Sequence, residues 1–322
     1  MEKKTKIVVL DGDTLSLKDL SWDPIGRLGE LTVYDRTAPE DVLSRSAGCD
    51  CLFTNKTVLS ADTIGSLPDL RFIGVLATGY DVVDVAAAKL RGIPVCNVPT
   101  YGTDSVAQLT IALILEHFLA VGAHSQHVAQ GGWQRHPDYS YQLQPLHELN
   151  GKTIGFIGFG RIGQKAADIA AAFGMQVLAY DPMHSDQSGR KNFRWVELDS
   201  LYAEADVISL HCYLTPENKG MINKDSIAKM KPNALIVNTA RGGLINEPDL
   251  LEALQAGRIG GAALDVISQE PPSKGNILIG APRAIVTPHI AWASFEARSR
   301  LMDIAAASLE GFLNGKVVNC VY

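Results

Sequence analysis

The 322-residue sequence predicts an α/β protein built on doubly wound parallel sheets, and three observations carry that expectation. Short apolar runs alternate with helix-like pieces along almost the whole length, as strand-helix-strand crossovers require. One run, Lys152-Thr-Ile-Gly-Phe-Ile-Gly-Phe-Gly-Arg-Ile-Gly163, ends in three glycines spaced G-x-G-x-x-G. The next strand-like run stops at an acidic residue, Asp181.

Composition bounds the reading. A hydrophobic content of 46% over 322 residues suffices for two domains of ordinary size. The formal net charge of -6 provides no basic footprint for nucleic acid. No apolar run approaches the roughly 18 residues of a membrane span. Met1-Glu-Lys-Lys-Thr-Lys leads into Ile7-Val-Val-Leu10 without a secretory apolar region, so a cytoplasmic location is expected. The cysteines are Cys49, Cys51, Cys96, Cys212 and Cys320; an odd count without a C-x-x-C pair points to buried reduced thiols and to no metal site.

In the first hundred residues, strands are expected at Ile7 to Leu10, Leu31 to Tyr34, Cys51 to Thr54, Arg71 to Ala77 and Ile93 to Val98. Helical pieces fall at Glu40 to Ala47 and Val82 to Leu90, a doubly wound pattern without a Gly-rich loop. Thr103 or Asp104 can cap the next helix, whose body, Val106 to Leu119, is apolar on nearly every face. Such a helix is buried, within one chain or against a second subunit. Val121 to Leu149 reads as a polar, aromatic-containing connector. After the Gly-rich run come a helix from Ile162 to Phe173, a stop at Gly174 and a strand from Gln176 to Tyr180. Further strands are expected at Val207 to Leu210, Ala234 to Asn238, Gly261 to Val266 and Ala284 to Thr287, with helices at Pro216 to Lys231 and Glu247 to Ala256. Ala291 to Leu313 is a final amphipathic helix and Gly315 to Tyr322 a short tail.

The glycines divide the work of a dinucleotide turn. Gly158 permits the tight turn, Gly160 lets backbone approach a pyrophosphate, and Gly163 lets the following helix pack closely on the strand, with the phosphates at the helix N-terminus. A carboxylate about 20 positions later can accept hydrogen bonds from the adenosine ribose and repel a ribose phosphate, so Asp181 favours NAD over NADP. Asp181-Pro182 could instead merely start a turn, and His184 leaves weak NADP use open.

The chemistry is expected in loops at later strand ends. Asn238-Thr-Ala-Arg-Gly-Gly243 sets one arginine among small residues, where a guanidinium can grip a carboxylate bidentately; an ordinary surface ion pair is the alternative. Gly261-Ala-Ala-Leu-Asp265 leads to Glu270-Pro-Pro272, and Val286-Thr-Pro-His289 places an imidazole after a proline-fixed turn. Carbonyl reduction needs a proton donor near neutral pH, and imidazole supplies it. Glu270 can orient that ring and stabilise its protonated form. The alternative is a helix-capping His289 and a solvated Glu270.

Gly158-x-Gly160-x-x-Gly163, Asp181, Asn238-Thr-Ala-Arg241-Gly, Leu264-Asp265-Val with Glu270-Pro, and Thr287-Pro-His289 together resemble the D-isomer-specific 2-hydroxyacid dehydrogenase family, in order and over essentially the whole chain. The resemblance implies two Rossmann-like domains with the active site in the cleft between them. Residues 1–100 and 288–322 would form a discontinuous substrate domain, and 101–287 the NAD-binding domain. It implies His289 as proton donor paired with Glu270, Arg241 orienting the 2-oxo acid, and backbone amides of Thr78 and Gly79 facing the substrate carboxylate. Gly158, Gly160, Arg161, Ile162, Gly163, Asp181, Thr239 and Asp265 would bind NAD, Asp265 through the nicotinamide carboxamide. Formate dehydrogenases of the same superfamily carry Gln where Glu270 stands, so the acid argues for carbonyl chemistry.

The connector from Trp133 through Pro145 and Tyr101-Gly-Thr-Asp-Ser-Val-Ala-Gln108 are similar to the glycerate dehydrogenase (hydroxypyruvate reductase) branch, although many members have Glu in place of Gln108. Reduction of hydroxypyruvate to D-glycerate by a homodimer is the resulting expectation. A D-lactate dehydrogenase-like activity and an NAD-sensing corepressor-like binding protein stay open, and Trp292 could either close the substrate side or pack between subunits.

Overall fold

Runs such as Cys51-Leu-Phe-Thr54 are apolar on both faces, so they fold only where both faces of a sheet are covered. The computed structural model describes residues Lys4–Tyr322 and contains two such sheets, all of their strands parallel. The chain divides into a smaller unit, residues up to Gly102 with Trp292–Tyr322, and a larger one, Thr103–Ala291. Residues 288–291, expected on the substrate side, fall with the larger unit because their backbone is bonded to Asp265.

In the smaller unit β1 (Lys6–Val9), β2 (Glu30–Val33), β3 (Cys51–Thr54), β4 (Phe72–Val75) and β5 (Val95–Cys96) lie in the order β2-β1-β3-β4-β5. Alternate residues enter different core layers: Ile7, Val9, Phe53 and Phe72 in one, Val8, Leu10, Leu52 and Ile73 in the other. The returning helix Phe295–Leu313 closes the first layer with Leu301, Met302, Ala305 and Leu309. Each large side chain buried this way contributes about 1.5–3 kcal/mol. The helix is shorter than expected because Ser294 caps it, its side chain accepting from Ala297 N. In its first turn Arg298 donates to both carboxylate oxygens of Asp19, at 2.8 and 2.7 Å, and to Leu15 O.

In the larger unit β6 (Thr153–Ile157), β7 (Gln176–Tyr180), β8 (Phe193–Trp195), β9 (Val207–Leu210), β10 (Leu235–Asn238), β11 (Gly261–Leu264) and β12 (Ala284–Val286) take the order β12-β11-β10-β9-β6-β7-β8. The chain runs outward from β6 to β8, then returns to lay β9 on the other side of β6. That reversal is the switch point where open α/β sheets bind ligands. The helix Thr103–Leu119 packs on the helix Arg161–Ala172 and on β10.

Several expectations need correction. Thr103 and Asp104 lie inside the long helix rather than capping it, and Asp104 pairs with Lys165 at 3.1 Å. The connector holds a helix of its own, Val121–Ala129. Pro216 to Lys231 yields only the short helix Lys224–Ile227, since Gly220 turns at φ +66 and Ile222 bridges to Ile245. Cys212 and Cys320 are half-buried, unlike the buried Cys49, Cys51 and Cys96. Among the described residues no single helix is long and apolar enough to cross a membrane. The bent pair Thr103–Leu119 and Val121–Ala129 passes on length and composition alone, and the first of these buries Val106, Ala107, Ile111, Leu113, Ile114 and Phe118 within the protein.

Candidate active site

At the switch point the turn after β6 is forced to be glycine. Gly158 has φ +89, and a Cβ there would stand 2.5 Å from Cys212 N at the end of β9. A Cβ on Gly163 would meet Gly158 O at 2.6 Å, so helix and turn touch backbone to backbone. Gly160 is the opposite case, with nothing within 4 Å of its would-be Cβ. That open face lies at the N-terminus of the helix Arg161–Ala172, whose cap supplies no side-chain oxygen. The space and the helix end fit a pyrophosphate.

Asp181 closes the crevice at the end of β7. Its Oδ2 accepts from Phe159 N at 2.8 Å and its Oδ1 from Met183 N at 2.9 Å, so one carboxylate ties the Gly-rich turn to the next strand. Each oxygen keeps lone pairs for a ribose hydroxyl. At the end of β9, His211 Nε2 bonds Ser209 Oγ at 2.8 Å, and desolvation beside Phe156 holds the imidazole down at about 4, so it stays neutral.

The catalytic candidates converge through one buried carboxylate. Asp265, directly after β11, takes Thr287 Oγ1 at 2.6 Å and Ile290 N at 2.9 Å on Oδ1, and Ala291 N at 2.8 Å on Oδ2. Its carbonyl accepts His289 N at 2.9 Å. Residues 287–291 are thus wound around Asp265, with His289 held at φ +55, a conformation costly for a residue with a Cβ. The ring of His289 projects from this loop, and its Nδ1 lies 2.5 Å from Glu270 Oε2. The other Glu270 oxygen accepts Ile267 N at 3.0 Å, fixing the carboxylate. Nε2 is the ring nitrogen that does not face Glu270.

A second carboxylate, missed in the sequence, holds the loop that carries Glu270. Glu247 is buried at the start of the helix Glu247–Gln255 and accepts Ser268 N at 2.7 Å, Ser268 Oγ at 2.8 Å and Asn276 Nδ2 at 2.9 Å. Glu247 stands 21 residues before Ser268, and no local pattern announces that pairing.

Arg241 sits on a turn clamped by the buried Asn238, whose Oδ1 accepts Ala240 N and whose Nδ2 donates to Arg241 O. Gly242 follows because a Cβ would stand 2.0 Å from the carbonyl of Ile267. That contact brings the Arg241 turn against the backbone leading to Glu270. The guanidinium is exposed, donates to Ala240 O at 2.8 Å and forms no ion pair among the described residues. Thr239 Oγ1 is 3.1 Å from Thr110 Oγ1 of the long helix. Arg241, Asp265, Glu270 and His289 therefore occupy the strand ends of the larger unit.

Within the smaller unit the loop after β4 is pinned from one side. Thr78 Oγ1 donates to Val98 O at 2.8 Å, and Asn97 Nδ2 donates to Thr78 O at 2.7 Å. The backbone amides of Thr78 and Gly79 donate to no group among the described residues. Trp292 packs edge-on against Tyr101 at 6.3 Å.

A Gly-rich switch point with an acidic residue at the next strand end, and a carboxylate-oriented imidazole after β12 of the same sheet, define a class: dinucleotide-dependent oxidoreductases. The comparisons narrow it. Residues 111–291 match the model of the D-isomer specific 2-hydroxyacid dehydrogenase, NAD binding domain. A hydroxypyruvate reductase of Blautia hydrogenotrophica is 52% identical over 98% of this chain and 99% of its own. A glycerate dehydrogenase of Methylorubrum extorquens is 41% identical over 98% of both. Among solved structures, a D-lactate dehydrogenase from Aquifex aeolicus complexed with NAD and lactic acid superposes with TM-score 0.81 at 27% identity, covering 96% of each chain. The chain belongs to the D-isomer-specific 2-hydroxyacid dehydrogenase family. It is an oxidoreductase acting on CH-OH groups, with NAD as its cofactor.

Proposed function

We propose that this enzyme reduces hydroxypyruvate to D-glycerate with NADH. The observation that carries the reading is the His289–Glu270 pair on its Asp265-wound loop, which leaves Nε2 as the proton donor to a substrate carbonyl oxygen. Bound NADH supplies the hydride. Glu270 holds Nδ1 and balances the charge of the protonated ring, while Arg241, which forms no ion pair among the described residues, orients the 2-oxo acid. The amides of Thr78 and Gly79 are the further carboxylate donors of this reading. Gly158, Gly160, Arg161, Ile162 and Gly163 cradle the pyrophosphate and Asp181 the ribose, with Thr239 and Asp265 on the nicotinamide side. In this reading the smaller unit is the substrate domain.

The substrate assignment is supported by the two relatives, one a hydroxypyruvate reductase and the other a glycerate dehydrogenase, each aligned end to end. The Aquifex structure with lactic acid keeps pyruvate as the second reading. A cytoplasmic homodimer completes the proposal: Leu119, Val121, Val128 and Trp133 expose apolar surface along the long helix and connector. The test is NADH oxidation with hydroxypyruvate, glyoxylate, pyruvate and 2-oxoisocaproate in parallel. A specificity constant highest for hydroxypyruvate is expected; a higher value for pyruvate transfers the assignment to lactate chemistry.

A further inference from the structure

The cysteines offer a second chemistry. Cys96 ends β5, the edge strand of the smaller sheet, and Cys320 lies opposite it in an antiparallel bridge made by the C-terminal tail. The flanking hydrogen bonds fix the kind of bridge: Asn97 N donates to Asn319 O at 3.1 Å, and Val321 N to Val95 O at 3.0 Å. They bracket the cysteines without joining them, so Cys96 and Cys320 form a non-hydrogen-bonded pair. In such a pair the Cα atoms approach to about 4.5 Å, with both side chains leaving the ladder on the same side. Both thiols face one core layer, with Phe72, Leu309 and Phe312. Disulfides span Cα separations of about 4.4–6.8 Å, so a bond here is reachable at the short end of the range, where strain makes it easily reduced.

We propose that Cys96 and Cys320 form a thiol-disulfide exchange site, which a small-molecule disulfide converts into a cross-strand disulfide tying the C-terminal tail to the sheet edge. Cys320, half-buried, is the entry thiol. It releases its proton and attacks one sulfur of the small disulfide, breaking that S–S bond and expelling one thiolate. Cys96 then loses its proton and attacks Cys320 Sγ, expelling the second thiolate. Two protein thiols are oxidised, one small disulfide is reduced to two thiols, and the two protons end on the expelled sulfurs. Burial, with the neighbouring Cys320, pushes the Cys96 thiol up to about 12, so the second step accelerates as pH rises. Cys49 and Cys51 are not an equivalent pair, because they pack into different core layers.

The test treats the full-length protein with oxidised glutathione, quenches with iodoacetamide under denaturing conditions, and reads intact mass and a non-reducing peptide map. The expected product has lost the mass of two hydrogens, carries a peptide pair joined through Cys96 and Cys320, and reverts in excess glutathione. Cys96→Ser is expected to stop at a glutathione adduct on Cys320. A wild-type protein that keeps that adduct, leaves both thiols free, or crosslinks through other cysteines only overturns the proposal.

Discussion

His289 concentrates the residue-scale argument. Its left-handed backbone is imposed by Asp265, whose carboxylate takes three donors from residues 287–291 and whose carbonyl takes a fourth, and its ring direction is imposed by Glu270. On the proposed reading, His289→Asn removes the proton donor and leaves the Gly-rich turn and Asp181 in place. Steady-state kinetics are expected to show kcat/KM reduced roughly 10²–10⁴-fold, with NADH affinity by fluorescence titration retained. Asp181 makes a different prediction. Asp181→Ala removes both the proposed ribose acceptor and the tie to Phe159 N, so the ratio of NADH to NADPH efficiency is expected to fall; an unchanged ratio removes Asp181 from cofactor selection. These residues stood out as candidates because each belongs to a short pattern with its own chemical logic. Asp265 stood out in the sequence as a candidate, yet its bonds to residues 22 to 26 positions away did not. Glu247 left no signal, since its partners are a serine and an asparagine in a distant loop.

At the scale of elements, local sequence succeeded where a strand is buried on both faces and failed where tertiary contacts decide. Val207 to Leu210 was expected and found, whereas the stretch from Pro216 broke into a turn, a bridge and one short helix. The edge strand β8, only half-buried, lacks the apolar run that marks the central strands. The final helix carries its own pH dependence. The Arg298 guanidinium holds the Asp19 carboxyl down at about 2, against an ordinary value of 3.8. A carboxylate with a lowered folded-state pKa contributes stability that is complete above 3.8 and lost as pH falls toward about 2. Thermal unfolding of Asp19→Asn is therefore expected to depend less on pH across that window than the wild type, with the two converging at its acid end.

At the scale of the molecule, exposed apolar residues along 119–133 and the all-round apolar helix beneath them make self-association the expected state. Light scattering is expected to report twice the chain mass, and a monomer across the working concentration range refutes the homodimer. Two doubly wound sheets also mean two switch points, and the chain treats them differently. The reversal between β6 and β9 is lined by glycine and faces open space at Gly160. The reversal between β1 and β3 holds Asp11, buried, whose carboxylate accepts Asn55 N, Lys56 N and Thr57 N at 2.9, 2.6 and 2.8 Å. Backbone amides that could have met a phosphate are satisfied by a side chain. The consequence is one of stoichiometry: calorimetric titration with NADH is expected to saturate at one equivalent per chain, and a nucleotide in excess finds no second berth in the duplicated architecture.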